Sequence, residues 1–147
     1  MKLTDRSTRD NENEKWGCGL VVFDRRGLVL MGLRCKPTDL PQWSFAGGHV
    51  EIGESPRDAV IRELREEMSL EAKDPIYIDY FIEGEEKDFV FVVLIDDCIG
   101  SPSANKQEFS ELKWMMNAEL IGADALEVFP YSLKALAILK KWVFPSH

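Results

Sequence analysis

Three glutamates near the middle of the chain have the spacing of a single chemical site. Glu63, Glu66 and Glu67 stand at positions i, i+3 and i+4, so an α-helix would bring their carboxylates onto one face. Like charges at these spacings destabilise an isolated helix, whereas hard divalent cations bind where several oxygen ligands converge. The pattern therefore predicts a helix with a metal-binding face.

The same segment has the apolar pattern of a helix that packs on a core. Apolar residues recur at helical spacing away from the glutamates, at Val60, Ile61, Leu64 and Met68. Ser55 followed by Pro56 is typical of a helix N-terminus, because serine accepts backbone hydrogen bonds there and proline suits the first helical position. We therefore predict one helix with a core face and an acidic face.

The spacing across residues 48–70 resembles a family signature. The segment reads GHVEIGESPRDAVIRELREEMSL, which resembles the Nudix box G-x5-E-x7-R-E-U-x-E-E-x-G-U, where U is a bulky aliphatic residue. Each defined position matches except the penultimate glycine, where this chain has Ser69. If Ser69 ends the helix in a left-handed conformation, it costs about 1–2 kcal/mol but removes no ligand.

The resemblance to Nudix hydrolases implies a ligand set and a reaction. In that family the box glutamates bind Mg²⁺ or Mn²⁺, so the implied ligands are Glu63, Glu66, Glu67 and the backbone carbonyl of Gly47. The implied reaction is hydrolysis of a diphosphate bond in a nucleoside diphosphate linked to another group X. A carboxylate accepts the proton of the attacking water. Glu63 and Glu108 are the two candidates for this base, and Glu108 could instead be an ordinary loop carboxylate.

Other residues of the box and its flank have supporting roles by the same resemblance. Gly48 belongs to a glycine pair that lets the backbone approach an ion closely. Glu54 and Arg62 are expected to join the loop to the helix and to orient the ligands. Arg34 and Lys36, which precede the box, are candidates for binding substrate phosphates, with ordinary surface charge as the alternative.

Nearby aromatic residues and a histidine have two interpretations each. We favour a packing or hydrogen-bonding role over catalysis for His49. Trp43, Phe45 and Trp114 are expected in the core rather than as platforms on which a nucleobase stacks.

The elements that position these residues follow from apolar periodicity. Strands are predicted over residues 19–23, 28–34, 43–45, 76–82, 89–95 and 111–115, the first two joined as a hairpin. A second amphipathic helix is predicted over residues 130–142. Such mixed elements predict the α/β class. The resemblance implies a Nudix-type α/β/α sandwich, with a mixed β-sheet between helices. Residues 1–14 are expected to form a flexible tail, and residues 15–147 a single domain.

Composition excludes several kinds of partner. The formal net charge of −8 argues against binding duplex nucleic acid, which needs basic surface. No apolar run is long enough to span a membrane and the N-terminus lacks a signal-peptide core, so we expect a cytoplasmic protein without a membrane partner.

Three cysteines without a C-x-x-C pair are expected to be buried reduced thiols. The expected partner is a nucleotide substrate, and the protein is expected to be a monomer or homodimer.

The substrate class is the least specified part of the sequence interpretation. A nucleoside or deoxynucleoside triphosphate, giving monophosphate and pyrophosphate, is the leading expectation. ADP-ribose and dinucleoside polyphosphate subfamilies often have a marker proline or tyrosine after the box, where this chain has EEKD at 85–88. The alternatives are hydrolysis of those compounds, of nucleotide sugars or of RNA 5′ ends. A non-catalytic Nudix-fold module that senses a nucleotide or binds a protein is disfavoured, because the box carboxylates are retained.

Overall fold

A computed structural model of the protein describes residues 3–38 and 41–116, and within them the chain forms nine β-strands and one α-helix. The strands are β1 (Lys15–Phe23), β2 (Val29–Arg34), β3 (Trp43–Ser44), β4 (Ala46–His49), β5 (Glu71–Ala72), β6 (Ile76–Glu83), β7 (Glu86–Leu94), β8 (Cys98–Ile99) and β9 (Phe109–Met115). The helix α1 spans Pro56–Met68, and a short 3₁₀ helix spans Ile95–Asp97.

Seven of these strands form one mixed sheet in which β1 is central. It pairs in parallel with β7 and antiparallel with β4. Beyond β7 lies β6, while β3 and β9 both pair with β2. The unbroken apolar run of β1 is buried because neighbouring strands and both faces of the sheet cover it. This arrangement places the start of β1 between the glycine-rich β4 and the acidic start of β7.

Two apolar clusters cover the two faces of the sheet. Alternate residues of a strand point to opposite faces, and accordingly Leu20 and Phe89 belong to one cluster and Val21 and Val90 to the other. Helix α1 packs on the first cluster through the residues predicted for its core face. The mixed sheet with a helix on one face confirms the α/β class. The second helix, predicted over residues 130–142, lies outside the described residues.

The apolar strands are confirmed, but the hairpin is smaller than expected. β1 and β2 share the single antiparallel register pair Phe23↔Val29, next to a turn in which Asp24 Oδ1 accepts from the N–H groups of Arg26 (2.9 Å) and Leu28 (3.0 Å). Away from the turn, β1 pairs with β4 and β7, while β2 pairs with β9. Sequence patterns do not predict the short strands β4, β5 and β8.

The N-terminal segment contacts the loop that leads into α1. Arg9 Nη1 donates to the carbonyl of Val50 at 2.9 Å, and the backbone of Arg9 exchanges hydrogen bonds with Glu54 and Gly53. The N–H of Arg57 donates to the carbonyl of Asp5 at 3.0 Å. The described part of the expected tail therefore lies along the box loop, and its flexibility stays a prediction.

The structure bears on two expectations from composition, the absence of a membrane span and the burial of the cysteines. Among the described residues, no helix combines the length and apolar character needed to cross a membrane. All three cysteines are free, with Cys18 buried and Cys98 partly buried. The expectation of a buried thiol is wrong for Cys35, which is exposed because it follows the end of β2 at the surface.

Candidate active site

The N-terminal end of α1 is built as the sequence predicts. Ser55 caps the helix, and its Oγ accepts from the N–H of Asp58 at 3.1 Å, with Pro56 in the first turn. The helix ends at Ser69, which is left-handed with φ 60° and ψ 27° and donates its N–H to the carbonyl of Arg65 at 3.2 Å. The serine therefore occupies the conformation for which the box glycine is suited.

The loop that contains Glu108 covers the C-terminal end of α1 through Asn105, a residue that sequence analysis did not assign to the site. The N–H of Asn105 donates to the carbonyl of Glu67 at 2.9 Å, and Asn105 Nδ2 donates to the carbonyl of Glu66 at 3.2 Å. These bonds pair carbonyls that the last helical turn leaves without partners. The carbonyl of Asn105 accepts from the N–H of Glu108 at 2.9 Å. Asn105 therefore links the box helix to Glu108; the sequence signal is only that of a turn former.

Arg62 joins the loop to the helix. Its Nε and Nη2 donate to the two carboxylate oxygens of Glu54 at 2.9 and 3.0 Å, and Nη2 also donates to the carbonyl of His49 at 3.1 Å. Its Nη1 donates to Glu63 at 2.9 Å and to Glu66 at 3.3 Å. Burial alone would raise the pKa of Glu54, but the hydrogen bonds from Arg62 hold it below its usual value. The hydrogen bonds to Glu54 likewise raise the pKa of Arg62.

Glu67 is the buried acid of the box. Only 5% of its surface is exposed, and its carboxylate accepts from the N–H of Gly47 at 3.2 Å. Burial raises its pKa to about 9, with further contributions from a hydrogen bond to Glu63, the charge of Glu63 and the charge of Glu108. Gly48 makes room for this pair, because a Cβ there would lie 2.7 Å from a carboxylate oxygen of Glu63.

The three box glutamates are neighbours, but they differ in exposure and in hydrogen-bond partners. Glu66 is exposed and pairs with Arg62, Glu63 lies between Arg62 and Glu67, and Glu67 faces Gly47. Within residues 3–38 and 41–116, no three acidic, histidine or cysteine side chains already stand in an arrangement that holds an ion. The donor chemistry fits Mg²⁺ or Mn²⁺, since it is all oxygen and centres on the buried carboxyl of Glu67, which a cation would stabilise in ionised form.

The site opens into a cleft of about 620 Å³. Its walls include all the predicted catalytic, metal-binding and substrate-binding residues, namely Arg34, Lys36, Gly47, Glu63, Glu66, Glu67 and Glu108, together with Gly48. Arg34 and Lys36 come from the end of β2 and the loop after it. Lys36 Nζ lies 3.1 Å from Glu108 Oε2. The cleft thus brings two cationic side chains together with the carboxyl groups of the box and of Glu108.

Comparison with known proteins decides the family. The sequence matches the NUDIX domain over residues 14–136. The chain belongs to the Nudix family. It is 32% identical over 123 residues to the nucleoside triphosphatase NudI of Salmonella typhimurium, covering 70% of this chain and 82% of that protein. It is 29% identical over 127 residues to an RNA pyrophosphohydrolase of Cereibacter sphaeroides, covering 71% of this chain and 77% of that protein.

The fold of this Nudix protein is likewise shared with solved structures. The MutT Nudix hydrolase from Burkholderia pseudomallei superimposes with a TM-score of 0.72 over 87% of this chain and 99% of that one, at 22% identity.

Acids of residues 83–88, outside the box, also line the Nudix cleft. Because β7 begins at Glu86, Asp88 lies within the sheet and is only 3% exposed. Burial raises the pKa of Asp88 to about 7, and the charge of Glu86 and a hydrogen bond to it add to the shift. His49 Nδ1 lies 3.3 Å from Glu86 Oε1, which agrees with a hydrogen-bonding role for His49. The feature of the sequence that could have indicated this buried acid is its position, directly before the apolar run of β7.

The aromatic residues near the box are placed largely as expected. Trp43 and Trp114 are partly buried and pack against the two apolar clusters. Phe45 is buried in the second cluster, but it also lines the cleft. One of the three therefore contributes to both the core and the site.

Proposed function

We propose that this Nudix protein hydrolyses a nucleoside or deoxynucleoside triphosphate to the monophosphate and pyrophosphate, with Mg²⁺ or Mn²⁺ bound at the box. The observation that carries the proposal is the buried Glu67 carboxyl, hydrogen-bonded to Glu63 and Gly47 in a cleft that also contains Arg34 and Lys36. The names of the two relatives, a nucleoside triphosphatase and a pyrophosphohydrolase, support a phosphoanhydride substrate.

In this proposal, different residues of the chain bind the metal ion, position its ligands and bind the substrate phosphates. Glu63, Glu66, Glu67 and the Gly47 carbonyl would hold the ion. When bound, the ion neutralises charge on phosphoryl oxygens and makes the attacking water more acidic. Arg62 forms ion pairs with both Glu54 and Glu63. The pair with Glu54 fixes the guanidinium group, which in turn holds the Glu63 carboxylate in place. Arg34 and Lys36, which line the same cleft, bind the phosphates, as cations placed beside phosphoryl oxygens do.

Of the two candidate bases, Glu108 is better placed to take a proton from water. The side chain of Glu63 is only 14% exposed and is already engaged by Arg62 and Glu67. The side chain of Glu108 is 35% exposed and has an ion pair with Lys36 that substrate phosphate can replace. We therefore assign the base to Glu108, with Glu63 retained as a ligand.

Hydrolysis of RNA 5′ ends is the second candidate, because one relative is named for that activity. Against it stand the acids around the cleft, including Glu51, Glu83 and Glu86, which repel a polyanion that extends past its terminal phosphates. A mononucleotide carries no further phosphates past these acids, so we rank mononucleotides first.

The deciding experiment is a product assay with the full chain. Nucleoside triphosphates, deoxynucleoside triphosphates, ADP-ribose, dinucleoside polyphosphates, nucleotide sugars and 5′-triphosphate RNA are each incubated with Mg²⁺, with Mn²⁺ or with chelator. We expect metal-dependent release of monophosphate and pyrophosphate from a triphosphate, and loss of this activity in Glu67→Gln. Glu71→Gln, which changes an exposed glutamate of β5, is the matched control. Absence of metal-dependent monophosphate and pyrophosphate from every triphosphate would contradict the proposal.

A further inference from the structure

One buried acid of the cleft lies on β7, two strands across the sheet from β4. Asp88 lines the cleft, and its carboxyl lies over Gly17 of the neighbouring strand β1. A Cβ on Gly17 would overlap Asp88 Oδ1, so the glycine provides the space in which this carboxyl sits. The combination of glycine and aspartate on adjacent strands therefore builds a defined polar position in the cleft wall.

The strand order gives the separation between this position and the box. Gly17 pairs with Asp88 on one side and with His49 of β4 on the other. Neighbouring strands are about 4.8 Å apart, which puts Asp88 about 10 Å across the sheet from β4. β4 also carries Gly47 and Gly48, which contact Glu67 and Glu63. A nucleotide whose phosphates reach the box therefore has room to place its base near Asp88.

The surroundings of Asp88 are apolar and aromatic. Its side chain points to the same face of the sheet as Val90, and its register partner on β6 is Phe81. Phe81 and Phe45 both line the cleft and pack with the apolar cluster on that face. An apolar wall with one placed polar group is typical of a site that orients a flat heterocycle.

The environment of Asp88 is costly for folding. Within the described parts of the chain, its side chain bonds to the carboxyl of Glu86 rather than to a cation. A buried acid beside a second acid destabilises a fold, and such groups concentrate where proteins bind or transform ligands. His49 pairs with Glu86, and no cation of residues 3–38 and 41–116 forms an ion pair with Asp88.

We propose that Asp88 is a specificity-determining residue that accepts a hydrogen bond from the exocyclic amino group of the substrate's base, an inference that rests on the proposed nucleotide function. Cytosine, adenine and guanine carry such an amino group. Uracil and thymine present carbonyl oxygens instead. The proton of the acid pair lies in the hydrogen bond between Asp88 and Glu86, so the Asp88 oxygen that faces the base can only accept, and a carbonyl oxygen there finds no proton to share. A site built to bond an N–H group discriminates strongly against an analogue that lacks it.

Cytosine and uracil nucleotides provide the sharpest test, because they differ only at this edge. The α,β-methylene analogues of CTP and UTP are titrated calorimetrically into the full chain with Mg²⁺, and kcat/KM is measured for CTP and UTP. We expect the cytosine compounds to be favoured about tenfold or more. Asp88→Ala should lose the preference, and Gly17→Ala should weaken it by displacing the carboxyl. Asp79→Ala, which removes an exposed acid from β6, should keep it.

The binding and kinetic readouts separate the two proposals. Equal binding of the two analogues, binding of neither, or a preference that survives both Asp88→Ala and Gly17→Ala would overturn the role of Asp88. If the analogues are discriminated but no triphosphate is hydrolysed, the proposed function fails while the role of Asp88 stands. Thermal melts of each variant show that it is folded, and Gly17→Ala tests the position of the carboxyl with Asp88 still present.

Discussion

Lys36 Nζ lies 3.1 Å from Glu108 Oε2, so a predicted phosphate-binding residue is paired with a candidate base. The pair forms because β2 and β9 run antiparallel and bring the loops at their ends together, with the N–H of Cys35 donating to the carbonyl of Glu108 at 3.1 Å. If Lys36 binds a substrate phosphate as proposed, the same step would free the Glu108 carboxylate to accept a proton. The proposal therefore links substrate binding and activation of the base through one contact.

Glu108→Gln should lower kcat by about 10²–10⁴, the usual contribution of a positioned base, while Mg²⁺ affinity stays near that of wild type. If Glu63 is the base instead, Glu63→Gln should show the loss, with weaker metal binding. The measurement is steady-state kinetics at saturating Mg²⁺. Glu111→Gln, an exposed glutamate of β9, is the control. A Glu108→Gln enzyme within about threefold of wild type would remove Glu108 from the mechanism.

Glu67→Gln should separate metal binding from fold stability. Mg²⁺ at 100 times its Kd should raise the free energy of unfolding of wild type by about 2.7 kcal/mol if only the folded state binds it. The variant should lose most of this gain because the buried ligand is neutral. Without metal it should be no less stable than wild type, since burial already raises the pKa of Glu67 to about 9. Thermal melts with Mg²⁺ and with chelator measure both effects, and equal Mg²⁺ shifts in the two proteins would contradict the assignment.

Ser69→Gly should stabilise the protein by about 0.5–1 kcal/mol, because Ser69 has φ 60° and glycine adopts this conformation without strain. The gain is less than the full strain, since Ser69 Oγ donates to the carbonyl of Ser103 at 3.2 Å. Ser69→Ala keeps the strain and removes only the hydroxyl, so it isolates that bond. Urea titration measures all three proteins, and a Ser69→Gly variant less stable than wild type would show that the hydroxyl matters more than the strain.

The sequence predicts those parts of the fold whose pattern is local. Helix α1 follows from the spacing of its apolar and acidic residues, and the long strands follow from apolar runs. Strand β4 could not be predicted, because Ala-Gly-Gly-His has neither alternation nor strand propensity. It is a strand because it pairs with β1, where Gly47 lies opposite Gly19. That pairing depends on the tertiary structure rather than on the residues of β4.

The site likewise has parts that the sequence predicts and parts that depend on the tertiary structure. The ion pair of Glu54 and Arg62 follows from the motif, but the additional bonds from Arg62 to Glu63 and Glu66 depend on side-chain conformations that the sequence does not specify. Asp88, in contrast, was not assigned to the site from the sequence. Its burial depends on the register of β7 against Gly17, which is set by contacts distant in sequence.

Asp88 should make the stability of the protein depend on pH in a defined window. Burial, followed by the charge of Glu86, raises the pKa of its carboxyl from 3.8 to about 7. Below the lower value, Asp88 is protonated in both the folded and unfolded states and costs nothing. As pH rises towards 7, the unfolded state releases the proton while the folded state keeps it, so stability falls; above 7 the loss is complete.

Asp88→Asn removes this titration, so its advantage over wild type in the free energy of unfolding should grow between about pH 4 and pH 7, reaching about 1–4 kcal/mol. Urea titrations across this range measure the difference. Because Glu86 faces Asp88 and His49 pairs with Glu86, Glu86→Gln should shrink the pH-dependent part. Asp79→Asn, on the exposed side of β6, serves as the control. An advantage of Asp88→Asn that is constant with pH would show that the Asp88 carboxyl does not hold its proton in the folded state.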